Sequence, residues 1–193
     1  RNPRGVAEFP KLLGVKDGTI MRGYYGIGIE NGKAEVNLGT LWRSAHIFGA
    51  AFIFTVGRRY RQQPGDVKKS WKSVPLFNYL TIEELKAHLP FECLLVGIEM
   101  ILEADEIEVF QHPEQAVYLL GSEDGGLSRK AIENCHRFVR VPGNDCLNVA
   151  VAGSIVMYDR LRQWRLNGRK IDLPRWETAN EARLSKGRER RMI

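Results

Sequence analysis

Hydrophobic and polar positions alternate along the first part of the chain in a way that predicts strands and a helix. Apolar runs at residues 24–30 and 51–56 predict two short strands. Between them, apolar residues recur at helical spacing over 38–48, with Asn37 as the predicted N-cap. The basic segment 57–73 is too polar for the core, so we expect a loop there.

The rest of the chain continues this alternation. A capping-box pattern beginning at Thr81 predicts a short helix, and Ser128 predicts the cap of another. Three further strands are predicted at residues 92–98, 117–120 and 138–141. A long helix is predicted over 147–166. This order predicts an α/β fold with a mainly parallel sheet, helices on both faces, and a ligand site beyond the carboxyl ends of the strands.

The composition is that of one ordinary globular domain. The chain has 193 residues, of which 44% are hydrophobic and 27% charged. The longest stretches without formal charge, 44–57 and 146–158, are shorter than the roughly 20 apolar residues that cross a bilayer. We therefore expect no membrane segment and a cytoplasmic protein.

Charge is distributed unevenly within the net value of +6. Residues 1–73 carry 13 basic and 5 acidic side chains, residues 74–159 carry 5 and 14, and residues 160–193 carry 11 and 4. Basic ends predict contact with a polyanion, of which nucleic acid is the commonest. We therefore divide the chain into a basic irregular arm (1–20), a central domain (21–168) and a basic extension (169–193).

The loop at 57–73 strengthens the prediction of a nucleic-acid partner. It interleaves cations with aromatic side chains, a combination that suits phosphate contact and base stacking. The candidate RNA-binding residues are Arg58, Arg59, Arg61, Lys68 and Lys69.

The sequence lacks the motifs of several common active sites. Gly26, Gly28 and Gly32 have the spacing GxGxxxG, which is not the dinucleotide fingerprint, and no Gly-Lys-Ser/Thr occurs for a Walker-type site. Ser122 is out of position for a GxSxG nucleophile elbow. The four histidines and three cysteines lack metal-ligand spacing, so we predict reduced thiols and no metal.

Three segments of the central domain stand out by their order and spacing. They are NLGTLWRSA (37–45), LLGSEDGGLS (119–128) and CLNVAVA (146–152). In this order they resemble motifs 1, 2 and 3 of the SpoU-type RNA 2′-O-methyltransferases of the SPOUT superfamily. The resemblance covers about residues 24–166 and identifies the central domain as a SPOUT methyltransferase domain.

The resemblance implies a fold whose carboxyl half is tied into a deep trefoil knot. It also implies a homodimer and S-adenosylmethionine as the cofactor, held largely by main-chain groups at the strand ends. The residues that it places at the cofactor are Val96, Gly121, Val141, Cys146 and Leu147. Glycine at position 121 suits this role because it lets backbone approach a ligand closely.

The resemblance also assigns the candidate catalytic residues. It places Arg43 at the ribose 2′-hydroxyl, with Asn37 and Glu123 holding its guanidinium and Asn148 organising the third motif. A ribose hydroxyl is a poor nucleophile until its proton is drawn away, yet arginine is almost always protonated. We therefore expect Arg43 to position the ribose and its phosphate. Both asparagines are also suited to capping helices.

Two departures from the family pattern keep alternatives open. Cys146 stands where Ser is usual, and only six residues separate Val141 from Asn148, which is a shorter loop than in the family. The expected activity is methylation of a ribose 2′-hydroxyl in structured RNA, with tRNA slightly favoured over rRNA because basic arms flank the domain on both sides. The alternatives are a non-catalytic RNA-binding or assembly protein of the same fold, and a base methyltransferase.

Overall fold

A computed structural model describes residues 23–57 and 72–168 as an α/β domain. Its strands are β1 (Tyr25–Glu30), β2 (Phe52–Val56), β3 (Leu76–Tyr79), β4 (Leu94–Ile98), β5 (Asp105–Glu106), β6 (Ala116–Leu120) and β7 (Arg137–Arg140). Its helices are α1 (Glu35–Phe48), α2 (Ile82–Ala87), α3 (Arg129–Asn134) and α4 (Val149–Leu166). The predicted arm 1–20, extension 169–193 and RNA-binding residues lie outside the described ranges.

The strands form one seven-stranded sheet in the order β3-β2-β1-β6-β4-β7-β5. Every strand pair within the described residues is parallel, which confirms the predicted parallel sheet. Along the chain, β2 and β3 are added on one side of β1 and the later strands β4 to β7 on its other side, so the strand order reverses direction at β1. In such sheets the crevice at the carboxyl ends beside this reversal of direction binds ligands. The trefoil knot implied by the resemblance stays a prediction.

Helices cover both faces of the sheet, as predicted. Alternate strand residues point to opposite faces, so each face has its own apolar cluster. One cluster joins β1 and β6 to α1 and α4, and its fully buried members include Ile27 and Leu41. The other joins Phe54 and Leu119 to α2 and α3. No helix in the described ranges is long and apolar enough to span a bilayer.

A buried polar network fastens the amino end of β6 to α4. The Arg160 side chain, 1% exposed, donates to the Glu114 carbonyl at 2.6 Å and to the Tyr118 hydroxyl at 3.1 Å. His112 Nε2 lies 3.2 Å from the Asp159 carboxylate and Nδ1 lies 2.6 Å from the Tyr118 hydroxyl. Because a carboxylate only accepts, Nε2 carries the proton and Tyr118 donates to Nδ1. This network therefore stabilises the sheet at the amino ends of its strands, opposite to their carboxyl ends.

The structure corrects two predicted helix starts and adds two strands. The prediction that Asn37 caps α1 was wrong: the helix begins at Glu35 after Ala34, and Asn37 lies inside its first turn. The long helix begins at Val149 rather than at 147, with Asn148 as its N-cap. Strands β3 and β5 were not predicted because they lie at the two sheet edges and offer no buried apolar run: β3 is half exposed, and β5 has only two residues, both exposed.

Candidate functional site

A cavity of about 480 Å³ opens at the carboxyl ends of β4, β6 and β7. Ile98, Leu120 and Val141, which end or follow these strands, form part of its wall, and the loop 121–126 and the residues before α4 complete it. This volume is typical of a small-molecule site. The cavity therefore lies where the alternation of strands and helices predicted a ligand.

Most of the predicted cofactor residues line this cavity. Those that do are Gly121, Val141, Cys146 and Leu147. Val96 does not, because it lies in the middle of β4 with a fully buried side chain. Only the last residues of a strand reach the carboxyl edge of the sheet, so Ile98 takes the place in the wall that we had expected for Val96.

The second motif forms a tight loop against the cavity. The amide of Ser122 donates to the Gly126 carbonyl and the amide of Gly126 donates to the Ser122 carbonyl, both at 3.0 Å. A Cβ atom at Gly121 would lie 1.9 Å from the Gly126 carbonyl carbon, so only glycine fits there. The closed loop presents Glu123 to the connection between β1 and α1.

One side chain from each motif joins a hydrogen-bonded cluster beside the cavity. The Asn37 amide donates to Glu123 Oε1 at 2.6 Å, and the Asn148 amide donates to Asn37 Oδ1 at 3.0 Å. The Glu123 carboxylate also accepts the backbone N–H groups of Lys33 at 3.0 Å and Ala34 at 3.2 Å. Glu123 and Asn148 line the cavity themselves. The structure thus brings together three of the four predicted catalytic residues.

The electrostatics of the cluster favour a charged carboxylate. Partial burial raises the pKa of Glu123, but the hydrogen bonds from Lys33 and Asn37 lower it by more, so the pKa lies below its ordinary value. Glu123 is therefore ionised at neutral pH. A fixed negative charge beside the cavity can accept a hydrogen bond from a hydroxyl group or stabilise a bound cation.

Within one protomer, Arg43 lies away from this cluster. It follows Asn37 by six residues, which places it about 9 Å further along α1 and about 240° around its axis. Arg43 is exposed, and no hydrogen bond or ion pair joins it to another residue of the described ranges. The expectation that Asn37 and Glu123 hold its guanidinium is therefore not met within one chain, because those two side chains bind each other.

Two acidic residues at this end of the sheet were not identified from the sequence. Glu99 lines the cavity, and its carboxylate accepts the N–H groups of Met100 at 2.9 Å and Leu127 at 2.7 Å. Glu30 is a buried carboxylate that ends β1. The usable signal was an acidic residue at the carboxyl end of a predicted apolar strand. Within ranges 23–57 and 72–168, no group of histidine, cysteine, aspartate and glutamate could hold a metal ion.

The wholly parallel sheet, the cavity at its carboxyl ends and the polar cluster beside it define an α/β protein with a small-molecule site. The chain belongs to the SpoU rRNA methylase family, whose sequence model matches residues 26–158.

The individual relatives agree with this assignment. An uncharacterized tRNA/rRNA methyltransferase of Archaeoglobus fulgidus is 30% identical over 145 residues, which cover 70% of this chain and 63% of that relative. The chain thus spans less than two thirds of that relative's length.

Two solved structures share the fold. The SpoU methyltransferase AviRb from Streptomyces viridochromogenes, in complex with the cofactor AdoMet, has a TM-score of 0.64 at 24% identity, over 74% of this chain and 58% of that one. A structure that addresses the 2-OH methylation of C/U34 on tRNA has a TM-score of 0.66 at 18% identity, over 75% of this chain and 98% of that one.

Proposed function

We propose that the protein transfers the methyl group of S-adenosylmethionine to a ribose 2′-hydroxyl of structured RNA. The observation that carries this proposal is the convergence of Asn37, Glu123 and Asn148 beside a cavity at the carboxyl ends of the sheet. Membership of the SpoU family supports an RNA substrate. The relative that acts on a 2-OH group of tRNA supports the ribose as the acceptor.

The residues around the cavity fit S-adenosylmethionine. Apolar side chains of Ile98, Leu120 and Leu147 suit an adenine ring, and the strand ends offer main-chain donors and acceptors for its polar edge. Gly121 leaves room for the Gly126 backbone, which closes the loop at the cavity wall. The cofactor supplies an electrophilic methyl group on a positively charged sulfonium. The ionised Glu123 carboxylate provides a complementary charge at the cavity wall.

We include a homodimer in this proposal, because α1 and α4 expose apolar side chains side by side. Val36 and Ile47 are 63% and 49% exposed and lie three turns apart on α1, and Val151 and Tyr158 lie two turns apart on α4. The two helices pack together, with the hydroxyls of two serines 2.8 Å apart between them. We name these four residues the α1–α4 stripe. A second copy of the chain is its proposed occupant.

Arg43 gains a role from this arrangement. It lies on the same side of α1 as Val36 and Ile47, at helical spacing from both. If a second copy packs on the α1–α4 stripe, Arg43 of the first copy therefore lies close to the surface of the second. We propose that Arg43 reaches the ribose and phosphate bound at the partner's cavity, where its guanidinium fork can position them.

Sedimentation velocity tests the dimer. We expect the wild-type chain to sediment as a dimer and Ile47→Glu to sediment as a monomer, because a buried unpaired charge opposes association. The exposed His46, outside the stripe, offers a control, and His46→Glu should remain dimeric. A monomeric wild-type protein at micromolar concentration would remove the dimer from the proposal.

Transfer of labelled methyl groups tests the activity. Purified protein is incubated with tritiated S-adenosylmethionine and either total tRNA or total rRNA, and the modified nucleosides are then identified. Ribose methylation predicts label in dinucleotides that resist alkaline hydrolysis, since the 2′-oxygen is blocked. Label in ordinary mononucleotides would assign the protein to base methylation. We expect tRNA to be the better substrate.

A second candidate is a non-catalytic RNA-binding protein of the same fold. The observation that favours it is the short third-motif loop, with the exposed thiol of Cys146 at the cavity wall. A thiol is a weaker hydrogen-bond donor than the serine hydroxyl usual in the family. Calorimetric titration with S-adenosylmethionine distinguishes the two candidates. Saturable binding supports the enzyme, whereas RNA binding without cofactor binding supports the second candidate.

A further inference from the structure

Glu30 is a buried carboxylate that the proposed reaction does not use directly. It is the last residue of β1, is 5% exposed, and does not line the cavity. Its two oxygens accept hydrogen bonds from a single residue: the backbone N–H of Ser128 at 2.8 Å and the Ser128 hydroxyl at 2.6 Å. A carboxylate is buried at a large cost unless its oxygens are paired, so these two bonds are strong local constraints.

Ser128 is the residue at which the second-motif loop ends. Its hydroxyl also accepts the N–H of Ala131 at 3.1 Å and so caps α3. The preceding N–H, from Leu127, is held by the carboxylate of Glu99 at 2.7 Å. Acidic side chains from the carboxyl ends of β1 and β4 therefore fix the end of this loop.

The beginning of the same loop is tied to the same part of the chain. Glu123 accepts the N–H groups of Lys33 and Ala34, which follow Glu30 by three and four residues. The loop 121–128 is thus joined to the end of β1 and its connection to α1 through Glu30, through Glu123 and through the ion pair between Lys33 and Asp124. Without the Glu30 contact, the loop would keep its bonds to Asn37, to the Lys33 and Ala34 amides and to Glu99, but would lose the constraint at Ser128 on its position.

We infer that Glu30 is a positioning residue for methyl transfer: by holding Ser128, it fixes the loop that carries Glu123 against Asn37. The inference rests on the proposed function. Small displacements of groups around a reacting centre lower rates strongly, by about 100-fold for about 1 Å. The rate of methyl transfer is therefore expected to depend on a side chain that touches neither RNA nor cofactor.

The test compares Glu30→Ala with Glu30→Gln in the full chain. We expect Glu30→Ala to lower kcat by about 10- to 100-fold while the Kd for S-adenosylmethionine changes by less than about threefold. Glu30→Gln keeps one acceptor oxygen for the Ser128 N–H and should recover most of kcat. Glu133→Ala, which removes an exposed carboxylate on α3, is the matched control and should keep the wild-type kcat.

A double-mutant cycle separates positioning from a general structural role. In a Glu123→Gln background, Glu30→Ala should have little further effect on kcat, because the group that it positions is already altered. An equal further loss in that background would overturn the inference, and so would a wild-type kcat for Glu30→Ala. If Glu30→Ala does not fold, Ser128→Ala and Ser128→Thr replace it, since only threonine keeps the hydroxyl.

Failure of the proposed function is visible separately, as absence of methyl transfer by the wild-type protein. In that event amide hydrogen exchange still tests the structural step of the inference, that the Ser128 contact fixes the loop. Residues 122–127 should exchange at least about 10-fold faster in Ser128→Ala than in the wild type, while β6 is unchanged. Equal exchange of the loop in both proteins would overturn the inference.

Discussion

The side-chain amide of Asn148 donates a hydrogen bond to Asn37 Oδ1 at 3.0 Å, across 111 residues of chain. The side-chain oxygen of Asn148 is occupied, because it accepts the N–H groups of Ala150 and Val151 as the N-cap of α4. The Asn148 amide must therefore donate to Asn37, and the Asn37 amide then donates to Glu123. The helix cap of α4 thereby sets the direction of a hydrogen-bonded chain that ends on the Glu123 carboxylate.

Asn37→Asp should break this chain at its centre. The substitution replaces the donor to Glu123 with an acidic oxygen at 2.6 Å from another carboxylate. We expect kcat to fall by about 100-fold and the free energy of unfolding to fall by about 1–3 kcal/mol, since Asn37 is nearly buried. Single-turnover methylation and urea unfolding measure these changes. Asn134→Asp on α3 is the matched control, and a wild-type rate for Asn37→Asp would contradict the role of the cluster.

Arg43→Ala should abolish methylation and leave the affinity for S-adenosylmethionine nearly intact. The reason is that Arg43 is exposed and lies outside the cavity wall, so its proposed contact is with RNA. Arg43→Lys keeps the charge but loses the guanidinium fork and should restore little activity. Methylation assays and calorimetry give the two readouts. Equal loss of rate and cofactor affinity would count against this role.

Mixed dimers test whether Arg43 acts across the interface. Copies with Arg43→Ala lose activity and copies with Glu123→Gln retain only a small residual activity, but a dimer of one of each contains one intact site if Arg43 serves the partner's cavity. We expect doubly tagged mixed dimers to regain about half of the wild-type activity. If Arg43 serves its own chain, both sites of the mixed dimer carry a defect and no activity returns.

Neutralising Arg58, Arg59 and Arg61 to glutamine should weaken RNA binding and flatten its dependence on salt. Each lost phosphate contact lowers the slope of log K against log salt by about 1. Fluorescence anisotropy at several salt concentrations measures the slope. Neutralising Lys86, Arg129 and Lys130, which are exposed cations on α2 and α3, removes the same charge and provides the control. An unchanged slope in the first variant would exclude that segment from the RNA interface.

Folding stability should fall as the pH drops below about 6.5, through His112. Burial lowers the pKa of His112, and although the hydrogen bond to Asp159 opposes this shift, the pKa stays below its ordinary value. The unfolded chain therefore takes up a proton at a pH where the folded protein still excludes it. Urea unfolding at about pH 7.5 and pH 5.5 should show the loss. His112→Gln should reduce this difference, whereas the exposed His46→Gln should not.

Periodicity and cap residues in the sequence predicted the four helices and five of the seven strands of the described residues. Apolar runs and cap residues predicted α2 and α3 at their observed caps, and Thr81 and Ser128 do accept the expected backbone bonds. Periodicity did not predict the two edge strands, because β3 is half exposed and β5 is a two-residue strand defined by its pairing with β7. The strand order also depends on pairing between distant segments, which a single sequence does not show.

The candidate site was predictable as a set of residues but not as a set of contacts. Family resemblance selected Asn37, Glu123 and Asn148, and the structure joins them. Which side chain binds which depends on the helix register, and a start at Glu35 turned Asn37 from the expected cap into a partner of Glu123. The position of Glu30 at the end of a predicted apolar strand was the available signal, but the sequence does not show that this carboxylate is buried against Ser128.

A crystal structure of the protein grown with S-adenosylmethionine tests the central claim most directly. We predict the adenosine against Gly121, Val141 and Leu147, and the sulfonium methyl group open towards the joined side chains of Glu123 and Asn148. An empty cavity at saturating cofactor, or a cofactor bound elsewhere with those side chains separated, would contradict the account.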